Sequence, residues 1–124
     1  NFRDGFWQGY FGLDFEAKFA FDSIQRIDTV ISSFYQYSLS WIFMPKRIVV
    51  YTSIDGESYY KRAIFDPRVP DNIDGQFFEA FVLTFPEVEA KFIKLKAFNY
   101  GKCPDWHPAA GSDSWVFIDE VRIH

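Results

Sequence analysis

In the stretch DFEAKFAFD, Phe15, Ala17, Phe19 and Phe21 alternate with Glu16, Lys18 and Ala20. A period of two puts the rings on one face of an extended chain and the charges on the other, which a helix with its period of 3.6 cannot do. QRIDTVISSFYQ and KRIVVYTS follow in the same β-rich style. SIDGESYYKRAIF reads as a hairpin, with Asp55-Gly56 at the turn and residues 59–65 as the return strand. QFFEAFVLTF and AKFIKLKAFNY are two more strands joined through Pro86, and SWVFIDEVRI is the last. Residues 66–75 between them hold two prolines, several Asn or Asp turn formers and a glycine, and so read as a surface connection. No segment carries the spacing of an amphipathic helix. Seven or eight strands at even intervals predict an all-β antiparallel sandwich, with about two thirds of the phenylalanines in its core.

Composition narrows the chemistry. The 124 residues fit one domain, and aromatic residues make up 22%, an excess that favours strands. A net charge of -4 without a basic block argues against nucleic acid and anionic membrane as partners. No apolar run is long enough to span a bilayer as a helix. Cys103, the single cysteine, has no partner for an internal disulfide. Cys103 and His107 form a lone Cys-x3-His pair, short of the three or four ligands zinc takes, so Cys103 is expected as a small buried apolar residue. Neither a Gly-x-Ser-x-Gly elbow nor a phosphate-cradling glycine loop is present. Asp119 and Glu120 are neighbours on a strand, so they cannot face one another across a glycosidic bond. The residues point away from an enzyme.

The tryptophans stand apart from the phenylalanines. Trp7, Trp41, Trp106 and Trp115 fall in predicted loops or at strand ends. Trp115 opens the last strand, and alternation predicts that it shares a core face with Phe117, Val121 and Ile123. Trp106 lies in a Pro- and Gly-rich loop between Asp105 and His107, and Trp41 lies near Tyr37. A flat ring beside hydrogen-bonding side chains suits a sugar, whose C–H face stacks while its hydroxyls are read. The competing reading has each ring folding back to plug the end of the sandwich.

Three stretches, FRDGFWQGYFGLDFEAKFAFD, SWIFMPKRIVVYTSIDGESY and AKFIKLKAFNYGKCPDWHPAAGSDSWVFIDEVRIH, together resemble the discoidin, or coagulation factor 5/8 type C, superfamily. DGFWQG near the start and CPDWHPAAG with WVFIDEV at the end are the most specific. They are similar to the version at the C-terminus of bacterial β-N-acetylhexosaminidases (chitobiases), near the family-32 carbohydrate-binding modules. The resemblance covers nearly all of residues 1–124 and implies a single jelly-roll sandwich domain of about eight strands, galactose-binding-domain-like. It also implies an excised C-terminal piece whose first strand and first Asp-Gly loop lie upstream.

On that resemblance the chain is a non-catalytic carbohydrate-binding module of a secreted, periplasmic or surface-bound bacterial glycoside hydrolase. Its partners are then a glycan bearing N-acetylhexosamine or galactose and the catalytic domain of the same polypeptide. The alternative is a purely structural domain that packs against the parent enzyme. Sugars bind such domains through loops at one end. The loop YQYSLSWIFMP lacks the arginine common in the family's galactose binders, so Trp106, His107, Trp41, Tyr37 and Asp105 are the expected contacts, with Arg3 and Gln8 from the first loop. The family often carries a structural calcium. Glu120 matches its acidic residue in the closing strand, and Asp4 lies in the loop beside the ion.

Overall fold

The computed structural model describes residues 2–4, 8–68, 75–103, 107 and 110–124, with the backbone alone at 2–4, 8–11, 38 and 119. It is an all-β antiparallel sandwich. Seven strands are described: β1 (Phe2–Asp4), β2 (Gln8–Phe11), β3 (Phe15–Tyr37), β4 (Arg47–Ser53), β5 (Tyr60–Phe65), β6 (Gln76–Phe98) and β7 (Trp115–Ile123). They run in the order β1-β7-β3-β6-β4-β5, and β2 adds to β7 beside β1. The count agrees with the seven or eight expected, but the strands differ: two pairs of short runs each fuse into one strand of 23 residues, β3 and β6, while β1 and β2 are additional.

These two long strands build both layers. Their pairing shifts register between Ala20/Gln25 and again between Ile27/Thr29. Such irregularities bend a strand and sharpen its twist, and here they fold one sheet over on itself. Pro86 sits in β6 between Thr84, which pairs with Thr29, and Val88, which pairs with Ile27. The ladder is interrupted there, so the missing proline N–H leaves no partner wanting.

Alternation fills the space between the layers. Phe15, Phe19, Ile48, Val50, Ile93, Leu95 and Ala97 from one half meet Val30, Phe34, Phe81, Leu83, Val116 and Ile118 from the other. Each large side chain sealed there contributes roughly 1.5–3 kcal/mol of apolar transfer. Among the described residues Phe15, Phe19, Phe34, Phe43, Phe81 and Phe85 are buried, Phe65 and Phe78 are exposed, and Phe117 is half-buried.

One bulge decides a further difference. Ser33 pairs with Glu120 but Phe34 pairs with Ile118, so Asp119 is the extra residue in β7. Ile118 and Val121 therefore both face the core, and Trp115 and Phe117 lie on the outer face. The expectation that Trp115 and Phe117 share a face with Val121 and Ile123 fails at that bulge.

The β4–β5 connection follows its sequence. Asp55 Oδ1 accepts the N–H groups of Glu57 and Ser58, each at 2.9 Å, and the Ser53 hydroxyl at 2.9 Å. Gly56 has φ +81, and a Cβ there would lie 3.1 Å from the Phe92 ring. Glycine is required on both counts. Hydrogen bonds from Ser58 and Glu57, then from Ser53, hold the Asp55 carboxyl below its usual range.

Candidate functional site at the loop end

β3 ends at Tyr37, and a short 3-10 turn, Ser38–Ser40, delivers the chain to Trp41. Tyr37 and Ile42 then exchange both backbone hydrogen bonds (3.0 and 3.2 Å), closing the loop tightly. Trp41 is held from the other side as well. Its carbonyl accepts the Trp115 N–H at 2.7 Å, and the Phe43 N–H donates to the Trp115 carbonyl at 3.1 Å. The closure forces Trp41 to φ +64, the one positive φ at a non-glycine residue among those described. For a bulky L-residue that conformation is strained by roughly 1–2 kcal/mol. The side chain it carries is 37% exposed.

His107 lies beneath that ring. Its imidazole meets Trp41 edge-on at 6.5 Å and Phe43 edge-on at 6.1 Å, and Phe43 stacks on Tyr100 at 4.8 Å. His107 is 4% exposed, with its ring packed against both aromatic neighbours. Tyr37 is half-buried and lies 6.5 Å from Tyr35, ring to ring.

The closing loop is set by a residue that the sequence reading passed over as the end of a strand. Asn99, 7% exposed, donates from Nδ2 to the carbonyls of Ser114 (3.0 Å) and Leu13 (3.4 Å), and its Oδ1 accepts the Gly101 N–H (2.8 Å). Its own N–H donates to Asp14 Oδ1 at 2.8 Å. One side chain thus ties the end of β6 to the start of β7 and to the β2–β3 connection. The available signal was Asn-x-Gly directly after a strand, a turn in which the side chain bonds the backbone two residues on. Within the same loop Cys103 is buried, and burial pushes its thiol pKa up, as expected of a small apolar residue. Lys102 and Asp113 pair at its surface.

Not all the expected contacts converge. Trp106 and Asp105 lie outside the described residues. Gln8 and Arg3 are strand residues rather than loop residues: Gln8 pairs with Ile118 and Arg3 with Arg122. Arg122 is seven residues along β7 from Trp115, about 24 Å at 3.4 Å per residue, so Arg3 does not belong with Trp41. Gln8 is three residues along, about 10 Å away.

Asp4 pairs with Val121, the residue after Glu120 on β7, and its side chain lies outside the described ones. Glu120 is already opposite a cation, with Arg122 Nε 3.3 Å from its Oε1. Calcium takes six to eight oxygens, and among the described residues no group of three or more His, Cys, Asp or Glu forms a cluster. Among the described side chains there, Glu120 is the one carboxylate, and it faces the Arg122 guanidinium.

The chain shares its fold with solved carbohydrate-binding modules, CBM32 modules among them. A pectin-binding carbohydrate-binding module matches with a TM-score of 0.56 at 18% identity, covering 95% of this chain and 70% of that one. The CBM32 of AlyQ, in complex with 4,5-unsaturated mannuronic acid, gives 0.58 at 15% identity over 95% and 76%. A CBM32 module from Clostridium perfringens, in complex with GalNAc-β-1,3-galactose, gives 0.57 at 12% identity, covering 87% of this chain and 63% of its own. No protein-family model matches the sequence, and no curated protein matches it.

Proposed function

We propose that the chain is a non-catalytic carbohydrate-binding module, of the kind that accompanies a secreted, chitobiase-like glycoside hydrolase and holds its catalytic domain on glycan. The observation that carries the reading is Trp41: a bulky residue kept at φ +64, over a third exposed, at the tip of the sandwich. Backbone strain that the surroundings over-determine clusters at binding sites, where it fixes a side chain in a working position. Here the Trp115 and Tyr37–Ile42 hydrogen bonds enforce the conformation, and buried His107 fixes the ring from below. A pyranose would lay its C–H face on the indole, with Tyr37 at the side. Trp106 and Asp105, which adjoin His107 in sequence, are proposed as the remaining contacts.

One stacking ring and two or three hydrogen bonds give weak affinity, with Kd near millimolar, or about -4 kcal/mol. Such a module works by avidity, raising the local concentration of the tethered domain on its substrate. The reading is tested on an array of glycans bearing N-acetylhexosamine and galactose. Saturable binding that is lost in Trp41→Gly supports it; binding by neither protein to any glycan refutes it.

A further inference from the structure

The outer face of the layer formed by β2, β7, β3 and β6 carries an aromatic row that the loop-end site does not use. Phe78 on β6, Tyr35 on β3 and Phe117 on β7 are register partners across three adjacent strands, and Gly9 on β2 ends the row without a side chain. Ring centroids are 5.2 Å apart for Tyr35–Phe78 and 6.5 Å for Tyr35–Phe117. Phe78 is 56% exposed. Their neighbours Phe34, Val116 and Ile118 fill the core, so alternation alone turns these rings outward. Tyr35, Phe78, Phe117 and Gln76 line a shallow hollow of about 250 Å³, in which the Tyr35 hydroxyl and the Gln76 carboxamide oxygen are hydrogen-bonded. None of the four is charged.

The row is continuous with the loop end. Trp115 lies 5.5 Å from Phe117, and Tyr37 lies 6.5 Å from Tyr35, one step of two residues, about 7 Å, toward Trp41. On the far side the next register row is Ala80 on β6, Ser33 on β3 and Glu120 on β7, whose carboxylate is paired with Arg122. Flat rings with a hydroxyl and a carboxamide between them offer stacking together with hydroxyl recognition, and the absence of charge selects a neutral ligand over a uronate.

From this geometry we infer that the aromatic row is a second subsite: the chain binds a neutral oligosaccharide lengthwise, with one sugar at Trp41 and later ones on Tyr35, Phe117 and Phe78. This rests on the carbohydrate-binding reading above and extends it from a terminal sugar to a glycan chain. The test is calorimetric titration with N-acetylglucosamine, its β-1,4-linked tetrasaccharide and tetragalacturonate. The tetrasaccharide is expected to bind about tenfold tighter than the monosaccharide, and tetragalacturonate no tighter than the monosaccharide. Phe78→Ala, a change at an exposed ring, is expected to erase the tetrasaccharide's advantage and leave the monosaccharide's Kd unchanged; Trp41→Gly abolishes both.

Equal affinity for mono- and tetrasaccharide in the unaltered chain overturns the second subsite while leaving the loop-end site intact. So does a Phe78→Ala variant that keeps the advantage. Failure of the unaltered chain to bind either sugar overturns both readings. A concentration-dependent dimer in sedimentation that Phe78→Ala dissolves would assign the face to a second copy of the chain, and that too overturns the subsite.

Discussion

Replacing Trp41 by glycine and, separately, by alanine separates strain from stacking. Both variants remove the indole and lose the same contacts with His107, so those terms cancel when the two are compared. What differs is the backbone. Alanine keeps a Cβ at φ +64, and glycine does not. The left-handed conformation costs an L-residue roughly 1–2 kcal/mol, and the greater freedom of glycine in the unfolded chain takes back about 0.4–1 kcal/mol. The glycine variant should therefore be the more stable by about 1 kcal/mol. An unfolding entropy of about 2.1 cal/mol/K per residue over 124 residues comes to roughly 0.26 kcal/mol/K. Trp41→Gly should then melt about 4 °C above Trp41→Ala in differential scanning calorimetry, and neither should bind sugar. If alanine melts as high as glycine, the positive φ is not a strain in solution and the argument from Trp41 collapses. If the glycine variant still binds glycan, the ring is not the platform.

Three more outcomes follow from the structure. Asn99→Ala leaves the part-buried Gly101 N–H without its acceptor and removes one of the two bonds to the Ser114 carbonyl, which keeps the Gly12 N–H. At about 1–3 kcal/mol for such losses the melting temperature should fall by roughly 4–12 °C, with sugar binding weakened as the closing loop loosens. Acid should destabilise the fold through Asp55, whose pKa is lowered by hydrogen bonds from Ser58, Glu57 and Ser53, and through Asp66, lowered by its hydrogen bond from Arg47. A lowered folded pKa gives stability that is complete above the ordinary carboxyl value near 4 and is lost as pH falls below it, so a urea midpoint measured from pH 6 down to pH 2 should drop, and less steeply in Asp55→Asn. Finally, glycan binding and melting temperature should be unchanged by millimolar calcium or by a chelator; a rise of several degrees with calcium would require a site completed by oxygens beyond Glu120.

The layers of this fold were legible in the sequence because a half-buried strand announces itself by alternation. Phe15 and Phe19, and Ile93 and Leu95, go where period two sends them. What period two cannot register is a change of phase. Asp119 adds one residue to β7, and from there the parity of the strand reverses, so Trp115 and Phe117 emerge on the outer face while Val121 and Ile123 stay within. The same blindness split β3 and β6 into shorter pieces, since a bend at a bulge and a true chain reversal both interrupt alternation.

Loop geometry is harder to read for another reason. Whether Trp41 faces water depends on the Tyr37–Ile42 closure and on Trp115, 74 positions away in the chain, and neither relation leaves a local pattern. His107 shows the same dependence. Beside a tryptophan and an aspartate in sequence it looks like a ligand's hydrogen-bond partner, but Phe43 and Trp41, from another loop, enclose it. The consequence reaches function. On the proposed reading a histidine in that position would act on a sugar through the ring it packs against, so His107→Phe, which keeps an edge against Trp41, should preserve glycan binding where His107→Ala reduces it. Equal loss in both variants would return the imidazole nitrogens to direct recognition.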